Sequence, residues 1–122
     1  MKYTRIYADK EGVSHFEDVA VKLALVDFAP PAPPVFLSPF SQASQFVFGT
    51  LPADWFGVWH PTPKRQFSFF LSGEVEVQAG DGELRRFGAG SVFLMEDTIG
   101  KGHVTRVLGG SDVLVAILQL PD

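Results

Sequence analysis

Three side chains in this sequence have the types and placement to do chemistry together: His60, Gln66 and His103. Imidazole serves near neutral pH as a base, an acid or a metal ligand. A glutamine amide beside it supplies one carbonyl acceptor and two N–H donors. His60 and Gln66 lie close to the strand-like run 66–71, and His103 opens a later one, so all three can be directed into one interior. With no cysteine in the chain, thiolate ligands and disulfides are excluded.

Strand alternation dictates which neighbours share that interior. If His60 points inward, so do Val58 and Phe56, leaving Trp55 and Trp59 on the other face. Gln66 takes Ser68 and Phe70 with it, and His103 takes Thr105 and Val107, sending Arg106 outward. The expected pocket is an apolar wall of Phe56, Val58, Phe70 and Val107 around His60, Gln66, Ser68, His103 and Thr105. A greasy lining with a few convergent polar groups is the make-up of a small-molecule site.

Each residue also has a plainer reading. A lone histidine on an apolar strand is commonly a satisfied structural residue, and Gln66 a core amide bonded to backbone. His15 is expected at the surface, and Glu74, Glu76, Arg85 and Arg86 on a solvated face with cross-strand pairing. Trp55 and Trp59 are expected to pack against another layer or subunit. Glu96 and Asp97 are expected to cap a turn or to reach the pocket mouth, and no carboxylate stands at a neighbouring inward position to orient either histidine.

The elements that must hold these groups are strands. Glu74-Val75-Glu76-Val77 alternates charge and valine, Ala79-Gly80-Asp81-Gly82 turns, 83–87 returns, and Gly88-Ala89-Gly90 turns again before the apolar run 91–95. Earlier, 2–8 alternates, 9–12 is a turn, 13–16 is extended, and 19–26 reads as one strand. The run Ala29-Pro30-Pro31-Ala32-Pro33-Pro34 has too few ladder donors for a central strand and is expected as an extended connector. Runs 35–40 and 45–50 read as strands, and 113–120 as a strand buried on both sides. No segment keeps helical periodicity for three turns. Short strands punctuated by glycine predict an all-β jelly-roll barrel or sandwich in a single domain, 1–122.

Between about residues 54 and 107 the chain resembles the cupin superfamily. Its first motif has two histidines one residue apart, a glutamate a few residues on, and a glycine seven after that. His60 stands at the first histidine, Gln66 at the glutamate and Gly73 at the glycine, while Gly100 and His103 match the end of the second motif. Thr62 stands at the second histidine, Asp54 at the opening glycine, Thr98 at a proline and Val107 at the closing asparagine, with Gly90 opening the second motif. The resemblance implies a jelly-roll barrel and a divalent transition metal (Zn, Fe, Ni, Mn or Cu) on His60, Gln66 and His103. It also implies a homodimer, formed by sheet packing or by exchange of the N-terminal strand.

Composition narrows the class further. The net charge is −4 and the basic residues form only the pairs Lys64-Arg65 and Arg85-Arg86, so nucleic acid is not an expected partner. No stretch approaches a membrane span and the start lacks the apolar run of a signal peptide, so a cytoplasmic protein is expected. Twelve phenylalanines and two tryptophans can fill a barrel, line a pocket or cover a subunit contact.

Three functions compete at this point. The leading one is a metal-dependent enzyme of oxygenase, isomerase or lyase type, with His60, Gln66 and His103 as ligands. The second is a metal-free enzyme of epimerase, isomerase or cyclase type, with His60 or His103 as general base and Gln66, Ser68 or Thr105 holding an oxyanion. The third is a non-catalytic module that binds a small organic molecule in the barrel.

Overall fold

The computed structural model describes Met1–Asp122 and contains twelve strands and no helix. They are β1 (Lys2–Ala8), β2 (Ser14–Ala20), β3 (Ala24–Val26), β4 (Val35–Leu37), β5 (Gln45–Leu51) and β6 (Phe56–His60). The remainder are β7 (Gln66–Ser72), β8 (Glu74–Gln78), β9 (Leu84–Gly88), β10 (Val92–Glu96), β11 (His103–Leu108) and β12 (Val113–Gln119). A six-stranded sheet runs β2-β1-β10-β7-β12-β5, and a four-stranded sheet runs β6-β11-β8-β9. From β5 onward the chain passes repeatedly from one sheet to the other, giving facing quartets β10-β7-β12-β5 and β6-β11-β8-β9. That two-layer order of eight strands is the jelly roll. The all-β expectation holds.

The core lies between the sheets. Val75 and Val77, the valines of the alternating stretch, are buried on β8, while Glu76 on the other face accepts from Arg106. Phe87 stacks on Phe93 with centroids 4.3 Å apart and on Phe70 at 5.7 Å, joining both layers. Each such fully buried side chain contributes about 1.5–3 kcal/mol. Gly73 makes the sharp β7–β8 turn at φ +81°, where an added Cβ would lie 2.7 Å from the Asp112 carbonyl oxygen. Only glycine fits there.

Several expectations are corrected. The strand expected over 19–26 breaks after Ala20, because β1 starts at Lys2, opposite Ala20, and offers no partner further on. The residues that follow leave the sandwich and pair as a separate hairpin, β3 with β4. The proline run is not an extended connector. It is the reversal of that hairpin, with Ala32 N–H donating to the Ala29 carbonyl across a cis Pro30–Pro31 bond. β12 is not buried on both faces: Val113 and Val115 are buried but Leu114 is exposed, since the outer face of its sheet is open. β1 lies inside the six-stranded sheet, paired with β2 at one edge and, in parallel, with β10 at the other.

Candidate functional site

At one end of the sandwich the two layers part to leave a cavity of about 150 Å³. β7 contributes Gln66, Ser68 and Phe70, which alternate inward, and β11 contributes His103 and Thr105. His60 enters from the end of β6. Phe93 and Met95 of β10, Val77 of β8, Val115 and Ile117 of β12 and Leu51 of β5 complete the apolar lining, together with Trp55. No Lys, Arg, Asp or Glu lines it.

β6 departs from the expected alternation. Along the β6–β11 ladder His60 faces His103 and Gly57 faces Thr105, so three steps on β6 match two on β11. This is a β-bulge, and one extra residue reverses the parity of everything on its far side. Phe56 and Val58, expected in the pocket by counting back from His60, are therefore exposed, and Gly57 is the buried residue. Trp55, expected outside, folds over Gly57 and lines the cavity: a Cβ on Gly57 would stand 2.3 Å from the indole. Val107 is buried, but it sits deeper in the core and does not line the cavity. Trp59 is half-buried, with the Lys101 ammonium 4.1 Å from its ring centre.

The two imidazoles are held in matching ways. His60 Nδ1 donates to the Val58 carbonyl at 2.6 Å, a bond made across the bulge. His103 Nδ1 donates to Asp97 Oδ2 at 2.6 Å. A carbonyl and a carboxylate only accept, so in both rings Nδ1 carries a proton, and Nε2 is the nitrogen that carries the lone pair whenever the ring is neutral. Nε2 of His103 has no protein partner although no buried polar side-chain atom lacks one, so it opens onto the cavity. The ring centres are 4.7 Å apart. Gly102 permits this approach: at φ +78° its Cα packs so near the His60 carbonyl that no Cβ fits.

Asp97 corrects the expectation that no carboxylate orients a histidine. It is fully buried just past β10, with Thr62 Oγ1 donating to its Oδ1 at 2.7 Å and Thr62 N–H to its carbonyl at 3.0 Å. Thr62 thus occupies a motif histidine position and serves a different purpose there, bracing the acid behind His103. The sequence signal was the pair itself, a threonine in place of a ligand and an acid six residues before His103. Glu96, next to Asp97, turns away to Arg5 and Arg65. Burial works against its charge, yet the Arg5 and Arg65 hydrogen bonds overcome that and hold the carboxyl below its usual range.

A three-ligand metal face does not fit these residues. No three His, Asp or Glu side chains converge. Gln66 Oε1, the third expected ligand, accepts from Gln119 Nε2 at 3.3 Å, and Gln119 Oε1 in turn accepts from Gln45. That chain of amides engages the Gln66 carbonyl once and leaves its N–H groups without a partner in it. Two imidazoles and an uncharged amide remain, without a carboxylate among the cavity groups.

No family model and no curated protein matches the chain. Among solved structures it is similar to the Schizosaccharomyces pombe Cnp3 cupin domain, at 16% identity and TM-score 0.46, over 99% of this chain and 83% of that one. It is also similar to a protein described as ethanolamine utilization protein Q from Salmonella typhimurium LT2, at 22% identity and TM-score 0.44, over 99% and 96%. A third is protein NMB1881 from Neisseria meningitidis, at 15% identity and TM-score 0.47, over 82% and 84%. The order of its eight sandwich strands, by itself, makes the chain a small two-sheet jelly roll.

Proposed function

We propose that the protein transfers a proton on a small uncharged carbonyl compound, with His103 as general base and Asp97 as its positioning residue. The observation that carries this is the 2.6 Å hydrogen bond from His103 Nδ1 to buried Asp97. It fixes the ring so that Nε2 faces the cavity as an acceptor, and it stabilises the imidazolium that forms when Nε2 takes a proton. A C–H bond beside the carbonyl breaks, the proton goes to Nε2, and the electron pair moves onto the carbonyl oxygen as an enolate. The Gln66 amide N–H and the Thr105 hydroxyl line the same cavity and supply donors for that oxygen. The Nε2–H of the His103 imidazolium then gives the same proton back, to the α-carbon or to the far end of the enolate system, which restores the neutral base, and the His60 imidazole lines the same cavity as an acceptor. The chemistry is therefore isomerisation, of the epimerase or tautomerase kind.

The lining selects the substrate class. Without a cation it cannot compensate a carboxylate or phosphate, and burying an uncompensated charge is prohibitive. A cavity of about 150 Å³ accommodates a molecule near the size of benzene. A metal-assisted reaction at His60 and His103 would need a third donor, and the Gln66 oxygen, already accepting from Gln119, offers an uncharged one.

Hydrogen–deuterium exchange at the α-carbon, followed by NMR in D₂O, tests the proposal with butanone, cyclopentanone and cyclohexanone as probes. Wild type should accelerate exchange of at least one probe, and His103→Ala should lose roughly 10²–10⁴-fold of that rate. Equal exchange in wild type and His103→Ala across all three probes rejects it.

A further inference from the structure

Of the side chains that line the cavity, all but one stand on strands, and the exception is Trp55, on the turn between β5 and β6. On the reading that the carbonyl compound binds in this cavity, we propose that Trp55 is the specificity-determining residue of the site. Its indole sets the upper size of the ligand, admitting one small ring or a short chain beside His60 and His103 and excluding medium rings.

The lining divides into a floor and a rim. Phe70, Val77, Phe93 and Val115 belong to the closed core and are buried. The half-buried apolar members are Leu51, Trp55, Met95 and Ile117. Leu51, Met95 and Ile117 project from β5, β10 and β12, all in the six-stranded sheet. Trp55 alone lies against the layer that carries both histidines. Its carbonyl accepts from the Val107 N–H of β11 at 2.9 Å, and its ring covers Gly57, which pairs with Thr105.

The seat of the ring is a missing side chain. A Cβ on Gly57 would stand 2.3 Å from the indole, so the ring fills the space that a β6 side chain would otherwise take. The turn aims it there. Trp55 N–H donates to the Pro52 carbonyl at 3.0 Å and Ala53 N–H to Asp112 Oδ1 at 2.8 Å. Between them Asp54 takes φ +65°, the one residue other than glycine in the left-handed region. Such a conformation persists where its surroundings hold it. With the backbone so held, the ring's position depends on its own two side-chain torsions. Exchanging the side chain therefore changes the cavity and leaves the strand ladders as they are. A cavity of about 150 Å³ takes a ring the size of benzene. Without the indole, the space over Gly57 and beside Thr105 would join it. One methylene more or less in an apolar pocket shifts selectivity by roughly 10–200-fold.

Proton–nitrogen NMR tests this, because the chain has two tryptophans and only Trp55 lines the cavity, which supplies a reporter and a control. Trp59→Phe assigns the two indole signals. Cyclopentanone, cyclohexanone and cyclooctanone are titrated into wild type, Trp55→Ala and Trp55→Leu, with Kd read from the backbone amides of β7 and β11. In wild type the Trp55 indole N–H should shift with a small ring while that of Trp59 stays, and cyclooctanone should move neither. In Trp55→Ala the Kd of cyclooctanone relative to cyclopentanone should fall at least about ten-fold. Trp55→Leu should move it the same way by less, and it carries the test if the alanine variant fails to fold. An unchanged size preference in the folded variants overturns the assignment and leaves base catalysis by His103 standing. Wild type that binds cyclooctanone as tightly as cyclopentanone overturns it as well. A shifted preference in a protein that exchanges no α-hydrogen upholds Trp55 and rejects the catalytic reading instead. Absence of binding by every ring in every variant overturns both.

Discussion

Replacing Asp97 separates what its shape does from what its charge does. In Asp97→Ala the His103 Nδ1–H and the Thr62 hydroxyl both lose their acceptor in a place without solvent, since Asp97, Thr62 and His103 are each buried to within about 1%. An orphaned buried polar group costs about 1–3 kcal/mol, so the variant should lose roughly 2–5 kcal/mol. Asp97→Asn is different. Its Oδ1 can still accept from His103, and its amide can donate to Thr62, whose hydroxyl rotates from donor to acceptor. The ionic strengthening of the bond is lost, but so is the cost of burying a charge, and the net should stay within about 1 kcal/mol of wild type. For a chain of 122 residues the alanine variant should melt roughly 6–25 °C lower and the asparagine variant only a few degrees lower. Urea unfolding gives both free energies. Nitrogen-15 NMR of the imidazoles adds a readout that simple destabilisation does not move: Nδ1–H persists in the asparagine variant, while the Nε2–H tautomer gains population in the alanine variant. Equal stability of the two variants, or an Nε2–H ring already in wild type, would refute the reasoning.

Two further outcomes follow from neighbouring chemistry. Zinc titrated calorimetrically into wild type should give negligible heat, whereas Gln66→Glu supplies a carboxylate beside two imidazoles and should bind at least ten-fold more tightly, about 1.4 kcal/mol; stoichiometric binding by wild type would overturn the donor-set argument. His15 is held above its usual value by the hydrogen bond it donates to Asp9, with the one to Asp81 adding to it. Its stabilisation is complete below the unfolded value near 6.5 and is lost as pH rises through the higher folded value. The thermal midpoint of wild type should therefore fall between pH 6 and 9 more steeply than that of His15→Gln, and parallel curves would count against the cluster.

The sandwich was legible because alternation and turn chemistry are local. β7, β8 and β11 put Gln66, Ser68, Phe70, Val75, Val77, His103 and Thr105 on the inner face as a period of two requires. What escaped the sequence was non-local. The bulge in β6 shows only against β11, so Phe56, Val58 and Trp55 came out on reversed faces. Asp97 reads as a turn acid until Thr62 and His103, distant in the chain, close around it. Gln66 reads as a lone inward amide until Gln119, distant in the chain, donates to its oxygen. His15 looked like a surface residue of a loop, but its strand partner and two carboxylates half-bury it.

The bulge has a consequence for how such a site can change over generations. β6 is the outermost strand of its sheet, bonded on one side only, so its register answers to β11 and to no other strand. Deleting a single residue between Gly57 and His60 would straighten it and leave both residues facing inward, two steps apart, without disturbing the other strands. A one-codon deletion would thus keep the imidazole in the cavity but cost it the bond that its Nδ1 makes across the bulge, freeing the ring to turn. Strand ends of this kind let the way a reacting group is held change while the framework stays the same.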